Sequence, residues 1–134
     1  MLEAGPLDMF YGDSHIIQGV SIAVKPGEGI AVLGRNGVGK STLLKGLMDG
    51  GPKVRGPIRF QGSDIAAKPS FERARLGLGL VPEDRRIYPH LTVVENITMS
   101  GHAVRAGSAP RALGEVYALF PMLRDLGGRL GFEL

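Results

Sequence analysis

Gly34-Arg35-Asn36-Gly37-Val38-Gly39-Lys40-Ser41-Thr42 is the stretch around which the rest of the chain makes sense. It fits Gly-x-x-x-x-Gly-Lys-[Ser/Thr], the phosphate-loop pattern. Each residue type has a physical role there. The glycines let the backbone turn sharply and bring its N–H groups against an anion with no Cβ in the way. Lys40 supplies a compact positive charge for the β- and γ-phosphates, and the Ser41 hydroxyl is a ligand for a bridging Mg²⁺. A helix starting here aims its positive end at the same anion.

The flanks agree with the loop. Ile30-Ala31-Val32-Leu33 is a short apolar run suited to a buried parallel strand, and Ser41 to Met48 is apolar at 43, 44, 47 and 48, as a helix would be. Before the loop, Leu7–Tyr11 and Val20–Val24 read as strands, and Lys25-Pro26-Gly27-Glu28 as a turn. After it, Gly50-Gly51-Pro52 is a stop and Pro57–Phe60 a strand. Pro69–Leu76 carries helix-start chemistry and ends at Gly77. Thr92 and Glu95 have capping-box spacing for a helix reaching about Met99. Gly101–Pro110 reads as a loop, and Arg111–Phe120 as a helix stopped by Pro121. The whole is an α/β pattern that becomes more helical.

Composition bounds the function. The chain has 134 residues, enough for one domain with a core. A net charge of +3, with no basic run beyond Arg85-Arg86, argues against nucleic acid as a partner. There is no cysteine, hence no thiol chemistry. No signal peptide is visible, and no run approaches the ~20 apolar residues of a membrane span, so the expected location is cytosolic.

Several separated stretches resemble the nucleotide-binding subunits of ABC transporters. They are Tyr11 to Ser21, Pro26 to Glu28, the phosphate loop, Val81 to Pro89 and Leu91 to Ile97. The likeness covers roughly residues 7–124, and within the family it points to the ATPase subunits of branched-chain amino-acid importers or of the similar urea and amide importers. The resemblance implies a phosphate-loop NTPase core of the ABC ATPase type over residues 1–87. The start of a helical subdomain, with a divergent tail, would occupy 88–134.

The resemblance also implies the site. Tyr11 would stack on adenine; by itself it reads as a strand-end core aromatic. Gly34, Asn36, Gly37, Gly39, Lys40, Ser41 and Thr42 would hold the phosphates of ATP. Glu83, in place of the family's usual glutamine, would join Ser41 at Mg²⁺; its bland alternative is a solvated loop carboxylate. Arg85 to Ile97 would lie near the surface that meets the membrane permease. The partners implied are permease subunits and a second ABC ATPase subunit, identical or not, at the inner face of the membrane.

Other motifs lead nowhere. Asp125-Leu126-Gly127-Gly128 fits a GTPase-like Asp-x-x-Gly, but no strand precedes it and no guanine-reading motif exists. Pro82 interrupts the apolar-strand-plus-acid pattern of Leu78 to Asp84. His15, His90 and His102 lack metal-ligand spacing.

The family's Leu-Ser-Gly-Gly-Gln signature, second acidic motif with its catalytic glutamate, and switch histidine come after the point where this sequence ends. Leu126 to Leu134 does not match the signature. The resemblance thus implies about the first half of such a subunit, without the water-orienting base that typically contributes ~10²–10⁴ in rate. The expectation that follows is poor stability of the chain alone, contradicted by a thermal midpoint above ~50 °C. The competing reading is a truncated remnant that binds nucleotide or a partner without hydrolysis.

Overall fold

A two-residue turn at Gly12-Asp13 folds the first 24 residues into a long hairpin. Strand β1 (Leu2–Tyr11) runs antiparallel to β2 (Ser14–Val24), paired from Leu2 opposite Val24 to Tyr11 opposite Ser14 with shifts of register between. Gly12, at φ 56°, takes the first central position of that turn, where a side chain would be strained. The computed structural model describes residues 1–84, 86–99 and 113–134, which form two compact units, Met1–Arg73 and Ala74–Leu134.

In the first unit β1 is the spine. Its second edge takes β3 (Lys53–Arg55) along Asp8–Phe10 and β4 (Ile58–Phe60) along Leu2–Ala4, with β5 (Ser63–Asp64) outside β4. All these pairings are antiparallel. The inward positions of β1 change parity along the strand: Ala4 is buried, then Leu7 and Met9. The register shift between Ala4 and Leu7, at Gly5-Pro6, resets the phase. Pro6 is tolerated there because a proline cannot donate to a regular ladder.

Helix α1 (Lys40–Leu47) packs on this sheet through Leu43, Gly46 and Leu47. Gly46 allows the close approach. A Cβ on it would stand 2.5 Å from the Met9 sulfur and 3.1 Å from a Val54 methyl. Ile17, Ile58, Phe60 and Ile65 complete the buried set. Helix α2 (Ser70–Arg75) follows, and the first unit ends within it.

The strand expected at Ile30–Leu33 does not form. These residues belong to no strand; Ile30 is 45% exposed and Leu33 88%. A parallel strand is stabilised by neighbours on both edges and both faces, and among the described residues no strand pairs with this segment. Leu78 to Val81 likewise forms no strand, with Val81 95% exposed.

The second unit contains α3 (Val93–Met99) and α4 (Leu113–Leu119), then single 3₁₀ turns at Pro121–Leu123 and Gly131–Glu133. The expected capping box is present in both directions. Glu95 N donates to Thr92 Oγ1 at 3.2 Å, and Thr92 N donates to Glu95 Oε2 at 2.7 Å. Thr92→Ala is expected to lower stability by about 0.5–2 kcal/mol, read as a shifted urea midpoint with Thr92→Ser near wild type. The Asn96 amide closes the preceding loop, accepting from Tyr88 N at 2.9 Å and donating to Leu91 O at 3.1 Å. The C-terminal segment lies along the same loop. Val93 N donates to Arg129 O at 2.9 Å, and Gly131 N to Leu91 O at 2.9 Å. The expected loop at 101–110, His102, Arg85 and the first residues of the expected 111–120 helix lie outside the described residues. Among the described residues no helix is long and apolar enough to cross a membrane.

Candidate functional site

The phosphate loop folds as a left-handed backbone arc. Gly34, Gly37 and Gly39 have φ of 153°, 85° and 101°, values that disfavour any side chain. Gly39 is the N-cap of α1, and Leu43 N donates to its carbonyl at 2.9 Å. Space is tight as well: a Cβ on Gly39 would stand 2.7 Å from Ile17 Cδ1 and 3.2 Å from Ile16 Cγ2. The hairpin thus forms the back wall of the loop.

Lys40 turns back over the arc. Its Nζ donates to Gly34 O at 2.9 Å and Arg35 O at 2.8 Å. The ammonium is therefore held by two neutral carbonyls of its own loop. Residues 34–38 are exposed and Gly39 half-buried, so the N–H groups of the arc are open to an anion, and they sit at the positive end of α1. The arc, the dipole and the ammonium all favour a polyanion.

Ser41 and Asn36 are exposed and Thr42 half-buried. Among the described residues no group of three or more His, Cys, Asp or Glu is placed to hold a metal. A Mg²⁺ at Ser41 would take most of its oxygens from phosphate and water, which suits the preference of that ion. The donor set fits a metal that arrives with its anion.

The other expected site residues are placed apart from the loop in sequence. Tyr11 ends β1, 43% exposed, with its hydroxyl beside Gly51, where a Cβ would stand 3.5 Å away. Gly51 follows α1, so the hydroxyl lies by the chain past the C-terminal end of that helix. Glu83 is an exposed residue of a turn in the second unit.

One important residue was not legible in the sequence. Arg73 is 1% exposed, yet it carries a charge. Its Nη1 donates to Gly46 O at 3.1 Å and Leu47 O at 2.8 Å, its Nη2 to Ala66 O at 2.9 Å, and its Nε to Lys68 O at 2.8 Å. Two of those carbonyls belong to the last turn of α1, where Gly46 O also accepts from Asp49 N at 3.1 Å. Burial lowers the arginine's pKa, and the charge of Asp49 opposes that shift. The only sequence signal was an arginine in a short helix, which is ordinary on a surface.

A charged cluster lies on the hairpin. Asp8 Oδ1 accepts from Gly19 N at 3.1 Å and pairs with His15 Nε2 at 2.8 Å. The His15 ring stacks on Phe10 at 4.3 Å, and Arg55 covers Phe10 at 5.0 Å. The Gly19 N–H, and next His15, hold the Asp8 carboxyl below its ordinary pKa. A depressed folded-state pKa contributes stability above the ordinary carboxylate pKa, lost as pH falls through the folded value. Asp8→Asn is expected to flatten that acid-side loss, measured as urea midpoints at pH 6 and pH 3, about either side of the ordinary aspartate pKa.

Comparison with known proteins bears on family and fold. The ABC transporter family model matches residues 17–126. The high-affinity branched-chain amino acid transport ATP-binding protein BraG of Pseudomonas aeruginosa is 35% identical over 125 residues, 93% of this chain and 54% of that protein. The probable branched-chain amino acid transport ATP-binding protein LivF of Archaeoglobus fulgidus is 31% identical, over 92% of this chain and 52% of that protein. The ATP-binding cassette MJ0796, solved as a dimer in a post-hydrolysis state with ADP and Pi, superimposes with a TM-score of 0.76. The match covers 100% of this chain and 63% of that one, at 20% identity. The chain thus spans about half the length of the curated relatives it matches. With a glycine arc, a lysine folded over it and a helix opening behind it, the chain belongs to the ABC transporter family and has part of its phosphate-loop ATPase fold.

Proposed function

We propose that this chain is the ATP-binding part of an ABC importer subunit, serving branched-chain amino-acid uptake and coupling ATP binding and hydrolysis to transport. The observation that carries the nucleotide reading is the positive-φ glycine arc under Lys40 at the start of α1. The amino-acid reading is supported by the named transport roles of BraG and LivF. Gly34, Asn36, Gly37, Gly39, Lys40, Ser41 and Thr42 bind the phosphates. Tyr11 stacks on adenine. Ser41 and Glu83 would be the protein's ligands for Mg²⁺, which would supply positive charge against the phosphates. The partners are membrane permease subunits and a second ATPase subunit, at the inner face of the membrane.

Two measurements test this. Mg-ATP titrated into the chain is expected to bind with one site. Tyr11→Ala is expected to weaken ATP by roughly 5- to 100-fold, the range of a ~1–3 kcal/mol base stack, and to leave inorganic triphosphate unaffected. Equal losses for both ligands would remove Tyr11 from the base. Phosphate release that depends on Lys40 would separate a hydrolysing subunit from one that only binds.

A further inference from the structure

We propose that Arg73 is the positioning residue of the phosphate loop, fixing the roll of α1 from its C-terminal end. The proposal rests on the phosphate-loop reading above and adds to it a residue outside the motif. Helix α1 has eight residues, about 12 Å at 1.5 Å per residue. Its N-terminal end must stay open to receive an anion, so it can be held only from its flank and its far end. The flank contact centres on Gly46 against Met9, with Leu43 and Leu47 buried beside it. That apolar packing is non-directional. Directional keying comes from Arg73. One Nη1 grips the carbonyls of Gly46 and Leu47, two successive points around the helix. The opposite donors of the same rigid plane grip Ala66 O and Lys68 O. A planar guanidinium bonded on both sides transmits a fixed orientation, which a flexible ammonium does not. Turning α1 would swing Gly39, Lys40 and Ser41 at its other end. Arg73 touches no ligand itself and acts through the helix.

The test uses the full chain with Arg73→Met, which keeps bulk without charge, Arg73→Lys, which keeps charge without the planar fork, and Lys40→Ala. Two readouts are taken below the unfolding temperature, with far-UV circular dichroism verifying the fold. They are Mg-ATP affinity and the backbone amide NMR shifts of Gly37, Gly39 and Lys40 without nucleotide. Arg73→Met is expected to bind about tenfold more weakly, the scale of one misplaced charge-assisted contact, with moved loop shifts; Arg73→Lys is expected to fall between it and wild type. A merely structural arginine would lower the unfolding midpoint and leave the loop shifts in place. Wild-type affinity and wild-type shifts in folded Arg73→Met overturn the proposal; should that variant not fold, the same result in Arg73→Lys overturns it. If the wild-type chain binds no Mg-ATP, or Lys40→Ala binds equally well, the phosphate-loop reading fails on its own. The amide shifts still decide whether Arg73 positions the loop.

Discussion

Lys40→Ala is expected to lower Mg-ATP affinity by roughly ten- to a hundredfold, from the ~1.5–3 kcal/mol of a hydrogen bond to a charged group. The ammonium already sits over the arc, bonded to Gly34 O and Arg35 O. Little ordering is left to do when a triphosphate arrives, so most of its Coulomb attraction counts toward binding. Stability should change little. Both carbonyls belong to exposed residues, where water replaces the lost donor. Isothermal titration with Mg-ATP, beside urea denaturation without nucleotide, checks both halves. Unchanged affinity would show that the lysine stays on its carbonyls in the bound state.

Arg73→Ala is expected to lower folding stability by about 1–3 kcal/mol, the scale of buried acceptors left unsatisfied when their partner is removed. Four carbonyls lose the arginine together, Gly46 O keeping Asp49 N, and the truncated side chain leaves a void beneath the end of α1. Domains are stable by only about 5–15 kcal/mol, so the loss is a large fraction of the total. Urea unfolding of the chain and the variant measures it. A midpoint within error of wild type would mean that water enters and satisfies those carbonyls.

The two variants separate what was legible from what was not. Lys40 was readable because the phosphate loop is a local device: the glycines, the lysine and the helix start lie within nine consecutive residues. The Thr92–Glu95 box was readable for the same reason, since its two bonds span three residues. Arg73 was not readable. Its main partners lie 26 and 27 residues back in sequence, and a sequence does not say which buried carbonyls will lack donors. Tyr11 was a strand-end aromatic by pattern. Its neighbour Gly51 is 40 positions away in the numbering, a contact that only the folded hairpin and helix create.

The strands divide along the same line. Leu7–Tyr11, its stop at Gly12-Asp13 and Val20–Val24 were legible locally, but residues 2–6 and 14–19 become strand only by pairing with each other's strand across that turn. The change of inward parity between Ala4 and Leu7 was not legible either, because it depends on how Gly5 and Pro6 sit against the neighbouring strand. Ile30 to Leu33 has the composition of a buried parallel strand, but composition expresses only a readiness to be covered. Strand identity needs hydrogen bonds from another segment, and among the described residues none pairs with it. The sequence by itself therefore determined the phosphate-binding motif, the helix starts and the family, all written in short-range spacing. The tertiary structure alone decided that the sheet beside the loop is antiparallel, that Gly46 lies on Met9, and that a buried arginine holds the far end of the loop's helix. Those outcomes come from contacts between distant residues, where packing space and unpaired carbonyls select the partner.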